Sequence, residues 1–445
     1  MSYPFRPTIK KFTYDEIIKY THHVLSNLPS HRTGENIVYT MADAGLGAFS
    51  VFFTQSPSFL DFQRTMELAK GISNAQTLFG MLKIPCDNQI RNLLDGVPPS
   101  ALFELFGGIL DGLKKYGYLE AYRSINETLL VAMDGTQYFS SNEIHCKNCT
   151  VKHHKNGSTS YSHTVITPVI TAPGTNRVFS LEPEFIVPQD GHAKQDCENA
   201  AAKRWLQTFG PRYRDWGITI LGDDLYCKQP LCEAILAQGI SFILVCKPDS
   251  HATVYEWIEG LEATDGVKTV TATRRKGKRV ETDTYRFCNN VPLRDGDDAL
   301  EVNWCELTTR DANGKIVYKN AFATNHAISE ENVAEIVRAG RARWKVENEN
   351  NNTLKTKGYH LTHNFGHGKK NLSAVLATLN LFAFLVHTVL EKTDANYQCV
   401  RKKLGTRVNF FNDIRALTRY LCFDSWGSLL LFMIRQLEID LPDTS

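Results

Sequence analysis

Three carboxylates stand out by where they fall in the chain. Asp134 closes the apolar run "LLVAMD". Asp223 closes "ITILGDD", with Asp224 beside it, and Glu347 ends "RARWKVE". Each aspartate sits where an apolar, β-branched run meets a Gly-marked turn. Asp is a favoured turn residue, so one such position needs no further reason. Two that end strands of one expected sheet, with a glutamate on a following helix, are harder to dismiss. Hard cations such as Mg²⁺ want oxygen ligands and use few carboxylates plus substrate phosphates. A pair of such ions about 3.5–4 Å apart clamps the attacking and leaving oxygens of an in-line phosphoryl displacement. The residues thus point to two-metal phosphoryl transfer with Mg²⁺, Mn²⁺ standing in for it.

Glu349 competes with Glu347 for the third place. On an ideal helix through "ENVAEIVRAGRARWKVENENN", Val333, Val337, Gly340 and Trp344 form one apolar stripe with Ile336 beside it. At about 100° per residue, Glu347 borders that stripe and Glu349 faces solvent. Arg343 lies one turn before Glu347, where it can hold the carboxylate or a phosphate.

The elements that must position these groups follow from periodicity. Residues 1–125 read as a helical N-terminal domain. Within it, "SNAQTLFGMLKIPCDNQIRNLLDGVPP" has the length pattern of a helix-turn-helix, with a plain helical hairpin as the equal alternative. Its second helix would present Asn88, Gln89 and Arg91 to base edges. From about residue 126 the period changes to strands: "ETLLVAMDGTQYF", "SYSHTVITPVITAP" and "RVFSLEPEFIVP" make a meander. Helix, strand, helix and strand follow to residue 249, a mixed α/β sheet with parallel crossovers. Residues 250–325 are polar and strand-like, a β-rich insertion with a "DANGK" hairpin turn. Residues 326–392 resume the α/β core with the glutamate helix and "LSAVLATLNLFAFLVHTVLEK", apolar nearly all round and therefore buried. Residues 393–445 are helical.

Other groups carry weaker signals. "HCKNCTVKHHKNG" sets Cys146 and Cys149 two residues apart, followed by His153 and His154, a zinc-ligand pattern. His163 or His145 would serve as a further ligand, while a polar hairpin loop with incidental thiols is the plainer reading. "TRRKGKR" brings Arg274, Arg275, Lys276, Lys278 and Arg279 together for phosphate contact. Trp304 reads as core ahead of a base-stacking platform. His360, His363 and His367 read as a polar loop donating to phosphates ahead of a metal site.

Composition sets the outer bounds. A chain of 445 residues, 42% hydrophobic and 11% aromatic, can bury a large core and exceeds one ordinary domain. A net charge of +2 announces no nucleic-acid binder by itself, so basic surface must be local. Eleven scattered cysteines, an odd number, fit a reducing, cytoplasmic setting better than a secreted disulfide framework. The sequence contains no uninterrupted apolar run of about 18 residues, so no membrane span is expected.

The order Asp134, Asp223, Glu347 within this pattern resembles the DDE transposases of bacterial insertion sequences, in particular the group with a β-rich insertion before the glutamate. "AMDGTQ" matches that family's first-aspartate strand. "LGDDLYC" resembles its second, with Asp223 three residues before Tyr226. "RWKVE" is similar to its Arg-Trp-x-Ile-Glu segment, which gives Arg343 and Glu347 their places, and "FILVCKP" and "FATN" also fit. The family's flanking Tyr and Lys positions hold Gly340 and Leu354 here, with Lys355 one residue later, so the flanks depart. The resemblance spans about residues 126 to 390. It implies an RNase H-like mixed sheet flanked by helices. It also implies cleavage at element ends and 3′-hydroxyl strand transfer, catalysed by Asp134, Asp223, Glu347 and Arg343. The implied partners are terminal inverted repeats and target DNA, bound by a homodimer in the bacterial cytoplasm, with Lys355 as a phosphate contact. A nuclease or resolvase on the same core, or a DNA-binding protein whose site has decayed, are the competing readings. Retention of all three carboxylates argues against the last.

Overall fold

The computed structural model describes residues 12–33, 37–188, 197–277 and 279–440. Among the described residues the N-terminal region is mostly helical, residues 1–11 and 34–36 lying outside them: α1 (Tyr14–Ser26), α2 (Met41–Phe53), α3 (Phe59–Met66), α4 (Ala69–Phe79), α5 (Asp87–Asp95) and α6 (Phe103–Lys115). Thr40 and Asp43 form a reciprocal capping box that starts α2. α2 is buried along its whole length because it lies against α12 (Leu372–Thr393), the apolar helix expected to be buried. By length and composition α12 would cross a membrane, yet 89% of its apolar window is buried inside the protein.

The expected meander folds across two sheets. Each of its three long runs is interrupted. The first breaks at Met133–Asp134, between β1 (Leu129–Ala132) and β2 (Gly135–Ser141). After β3 (Thr150–His153), the second breaks at Thr167–Pro168, between β4 (Thr159–Ile166) and β5 (Val169–Thr171). The third breaks around Pro183, between β6 (Phe179–Ser180) and β7 (Glu184–Ile186). Proline offers no N–H to a ladder, so Pro168 and Pro183 end their strands. β1, β5 and β6 join the main sheet; β2, β4, β3 and β7 form a small second sheet. Asp134 lies at the crease, its carbonyl accepting the Thr167 N–H at 3.1 Å.

The main sheet then gains α7 (Glu198–Arg214), β8 (Ile218–Gly222), α8 (Gln229–Ala237) and β9 (Ser241–Val245). β8 runs parallel to β1 and β9 parallel to β8, as the crossovers require. The insertion opens with a helix that its polarity conceals, α9 (Ala252–Glu262). It continues as β10 (Lys268–Lys276), β11 (Arg279–Pro292), β12 (Glu301–Asp311) and β13 (Ile316–Thr324). These strands extend the main sheet, β13 pairing antiparallel with β9, to give the mixed order β10-β11-β12-β13-β9-β8-β1-β5-β6. Trp304 on β12 is fully buried.

The glutamate helix is not continuous. α10 (Val333–Arg341) buries Val333, Ile336, Val337 and Gly340 as expected. A Cβ at Gly340 would stand 2.8 Å from the Phe322 ring and 3.0 Å from Ile243, so only glycine allows this close approach to β13 and β9. The helix then breaks at Ala342–Arg343 and resumes through a π-helical turn, Val346–Asn351, into α11 (Asn352–Thr356). Trp344, expected in the apolar stripe, is 42% exposed, because the break resets the helical phase after Arg341. The chain closes with α13 (Ala395–Leu404), α14 (Arg407–Tyr420) and α15 (Trp426–Gln436). Asn74 of α4 donates to the carbonyls of Thr418 and Leu421, tying the N-terminal helices to this C-terminal region.

Candidate active site

Asp134 and Asp223 leave the ends of adjacent parallel strands. Ala132 is in register with Leu221, and the Met133 N–H donates to the Leu221 carbonyl at 2.9 Å. That places both aspartates at the same edge of the sheet by backbone geometry alone. Gly222 is obligatory there: a Cβ would meet Tyr226 at 2.8 Å.

Glu347 reaches the same place from the other side. Burial pushes the Asp134 carboxyl up to about 7, and after burial the largest contribution is the like charge of Glu347, followed by Glu198. Asp223 adds to the rise and Arg343 opposes it. Arg343 Nη1 contacts Glu347 Oε1 at 2.5 Å, one turn apart as expected. The solvent-facing place expected for Glu349 is not observed. Glu349 is half-buried, lining a groove with Asn176, Arg177 and Arg407, and Glu347 is the exposed one, because the helix break resets the phase on which the ideal-helix expectation rested.

Four contributors to this site were not read from the sequence. Glu198, at the start of α7, sits against Gly135: its carboxylate carbon would be 2.4 Å from a Cβ there, and it accepts the Gly135 N–H. Burial and then the Asp223 charge raise its carboxyl above the usual range. Asn351, on the π turn, donates through Nδ2 to Asp134 Oδ2 at 3.0 Å while its Oδ1 accepts the Thr167 hydroxyl at 2.7 Å. Asn350 extends the chain, donating to Asn351 Oδ1 and accepting from Ser180 of β6. A buried amide relay with its partners satisfied holds one geometry. Lys345, buried on the same turn, donates to the Ala172 and Thr175 carbonyls after β5 and pins the helix to the sheet. The asparagine run offered the only sequence signal for this relay.

Asp224 turns the other way. It accepts from the Lys247 N–H at 2.8 Å and from the Ser250 hydroxyl, fixing the loop after β9. It does not share the site with Asp223.

No family model matches this chain, and no curated protein matches it.

The expected nucleic-acid contacts are dispersed. Asn88 and Gln89 are exposed on α5, the second helix of the helix-turn-helix pattern. Arg91 is engaged elsewhere: its Nε donates to the Phe365 carbonyl at 3.1 Å and Nη1 lies 3.4 Å from Asp87. Arg274 pairs with Glu281 and Asp283, both at 2.9 Å, within its own hairpin. Arg275 is exposed on β10, and Lys276 pairs in backbone register with Arg279 at the hairpin tip. Lys278 lies outside the described residues. Lys355 is half-buried on α11. His153 and His154 do not reach Cys146 and Cys149; their rings bond the hydroxyls of Thr159 and Ser160. β3 carries His153 outward and away from the thiols.

Proposed function

We propose that this protein is a DDE-type polynucleotidyl transferase, a transposase that cleaves DNA at element ends and joins the freed 3′ hydroxyl to target DNA. The observation that carries this reading is the convergence of Asp134, Asp223 and Glu347 from two parallel strand ends and one helix. The strand order supports an RNase H-like core. Taken in chain order, the core strands β1, β5, β6, β8 and β9 lie in the sheet as third, second, first, fourth, fifth, the first three antiparallel and the last two parallel additions.

The chemistry of the donor set suits divalent cations. Asp134, Glu347, Glu198 and Asp223 lie near enough for their like charges to raise the Asp134 carboxyl, with Arg343 as the opposing cation, a charge imbalance that Mg²⁺ or Mn²⁺ would relieve. Two bound ions would supply charge stabilisation at the attacking and leaving oxygens. The chain's own residues do the rest. Asn351 orients the Asp134 carboxylate. Arg343 holds Glu347 and has further N–H groups to offer a non-bridging phosphate oxygen. The exposed Asn88 and Gln89 of α5 are suited to reading base edges at the element ends.

The test uses the full chain, Mg²⁺ and a labelled duplex carrying the sequences that bracket its own reading frame. End-specific cleavage followed by joining to a second duplex, both lost in D223N, is expected. Cleavage without joining would replace the proposal with the nuclease or resolvase reading. Binding without cleavage would point to a decayed site.

A further inference from the structure

We propose that Cys146, Cys149, His163 and His367 form a tetrahedral zinc site that clasps the small sheet to the loop before α12. The site is separate from the carboxylate cluster and does not depend on the reading of that cluster.

The four donor atoms come from three parts of the chain and converge within 4.8 Å of one another. Cys146 and Cys149 lie on the tight turn between β2 and β3, closed by the Cys149 N–H on the Cys146 carbonyl. His163 projects from β4, opposite Phe139 of β2. His367 arrives from the segment between α11 and α12.

Their spacing is that of a coordination sphere. With Zn–S about 2.3 Å and Zn–N about 2.05 Å, a regular tetrahedron places two sulfurs about 3.8 Å apart, sulfur and nitrogen about 3.6 Å apart, and two nitrogens about 3.3 Å apart. The observed separations are 3.9 Å for Cys146 Sγ to Cys149 Sγ, then 3.6 and 3.4 Å from those sulfurs to His163 Nε2. Cys149 Sγ lies 3.5 Å from His367 Nε2, and the two Nε2 atoms lie 3.1 Å apart. The sulfurs are too far apart for a disulfide.

The surrounding bonds prepare the ligands. His367 Nδ1 lies 3.0 Å from the Gly368 carbonyl, so its proton sits on Nδ1 and Nε2 presents a lone pair. The Cys146 N–H points at Cys149 Sγ, at 3.4 Å. A second strap joins the same two segments: Asn148, between the cysteines, donates to the Lys370 carbonyl at 2.8 Å. The His367 loop is itself held to α5, because Asp95 accepts the N–H groups of Lys369, Lys370, Asn371 and Leu372. Gly368 makes this possible with a φ of +69°, where a Cβ would stand 2.3 Å from Asp95 Oδ1. The clasp therefore joins the helix bearing Asn88 and Gln89 to the sheet whose first strand begins one residue after Asp134. A Cys₂His₂ donor set of borderline softness and closed tetrahedral shape selects zinc over Mg²⁺.

The test measures metal on the intact chain, with no reference to DNA cleavage. Full-length protein purified without chelator should carry about one zinc per chain, lost in C146S and kept in an H153A/H154A double variant. Zinc lost from H153A/H154A and retained in C146S would overturn the assignment, as would wild-type protein that takes up no zinc when it is offered. A folding defect in C146S is bypassed by loading wild-type protein with Co²⁺. Strong visible bands of a tetrahedral site with thiolate charge transfer are expected, and the weak spectrum of an octahedral oxygen site would overturn the proposal.

Discussion

Asp134→Asn should make the metal-free protein more stable while destroying its proposed activity. The Asp134 carboxyl is pushed from its ordinary 3.8 up to about 7 by burial and by the charges of Glu347 and Glu198. Between those values the folded chain keeps a proton that the unfolded chain has released. Stability therefore falls as pH rises through that window, and the loss is complete above about 7. At about 1.4 kcal/mol per pH unit the penalty reaches about 4 kcal/mol, and screening at the open side of the site brings it to about 2–4 kcal/mol. Asparagine carries no charge and its Oδ1 can still accept from Asn351. An unfolding entropy of about 2.1 cal/mol/K per residue over 445 residues converts each kcal/mol into about 1 °C of Tm. In calorimetry with EDTA at pH 8, D134N should melt about 2–4 °C above wild type, and the gap should close near pH 4. Adding Mg²⁺ at a hundredfold excess over its Kd should raise wild type by about 3 °C and leave D134N nearly unmoved. D134N melting at or below wild type in EDTA at pH 8 would refute the electrostatic account of this site.

Three further outcomes follow from the geometry. Glu347→Gln should reduce Mg²⁺-dependent end cleavage to background and Glu349→Gln should leave it near wild type, and the reverse in a cleavage assay would mean that the glutamate helix is misassigned. Asn351→Ala removes the amide that orients Asp134 without removing a carboxylate. It should lower the cleavage rate about 10–100-fold, with the loss partly restored by raised Mn²⁺, whereas an unchanged rate would leave the π-turn relay purely structural. Asn88→Ala and Gln89→Ala should each cost about 1–3 kcal/mol of discrimination between element ends and random duplex while leaving binding to random duplex unchanged, read by competition binding. Equal losses on both duplexes would take α5 out of the base-reading role.

The sequence by itself determined what local periodicity and turn chemistry can encode. Asp134 and Asp223 were legible because apolar, β-branched runs ended on them, and adjacent parallel strands then bring such ends together by register. Arg343 and Glu347 were legible because one helical turn separates them. The burial of α12 followed from apolar residues with no polar face. The tertiary structure decided whatever depends on partners distant in the chain. Breaks at Met133–Asp134, at Pro168 and at Pro183 turned three long strands into six, and the first of them set Asp134 at the crease. The insertion's strands proved to extend the main sheet, because β9 offered an unpaired edge that β13 covered. A helix break reset the phase that an ideal helix assumes, so Trp344 faces solvent, and Glu347 is held at the site by Lys345 and the amides of Asn350 and Asn351. Glu198 and His367 carry no local signal. Glu198 opens an ordinary helix, and His367 lies 204 residues beyond His163, in a histidine-containing loop whose rings look alike until Asp95 and Gly368 fix which one turns toward the thiols.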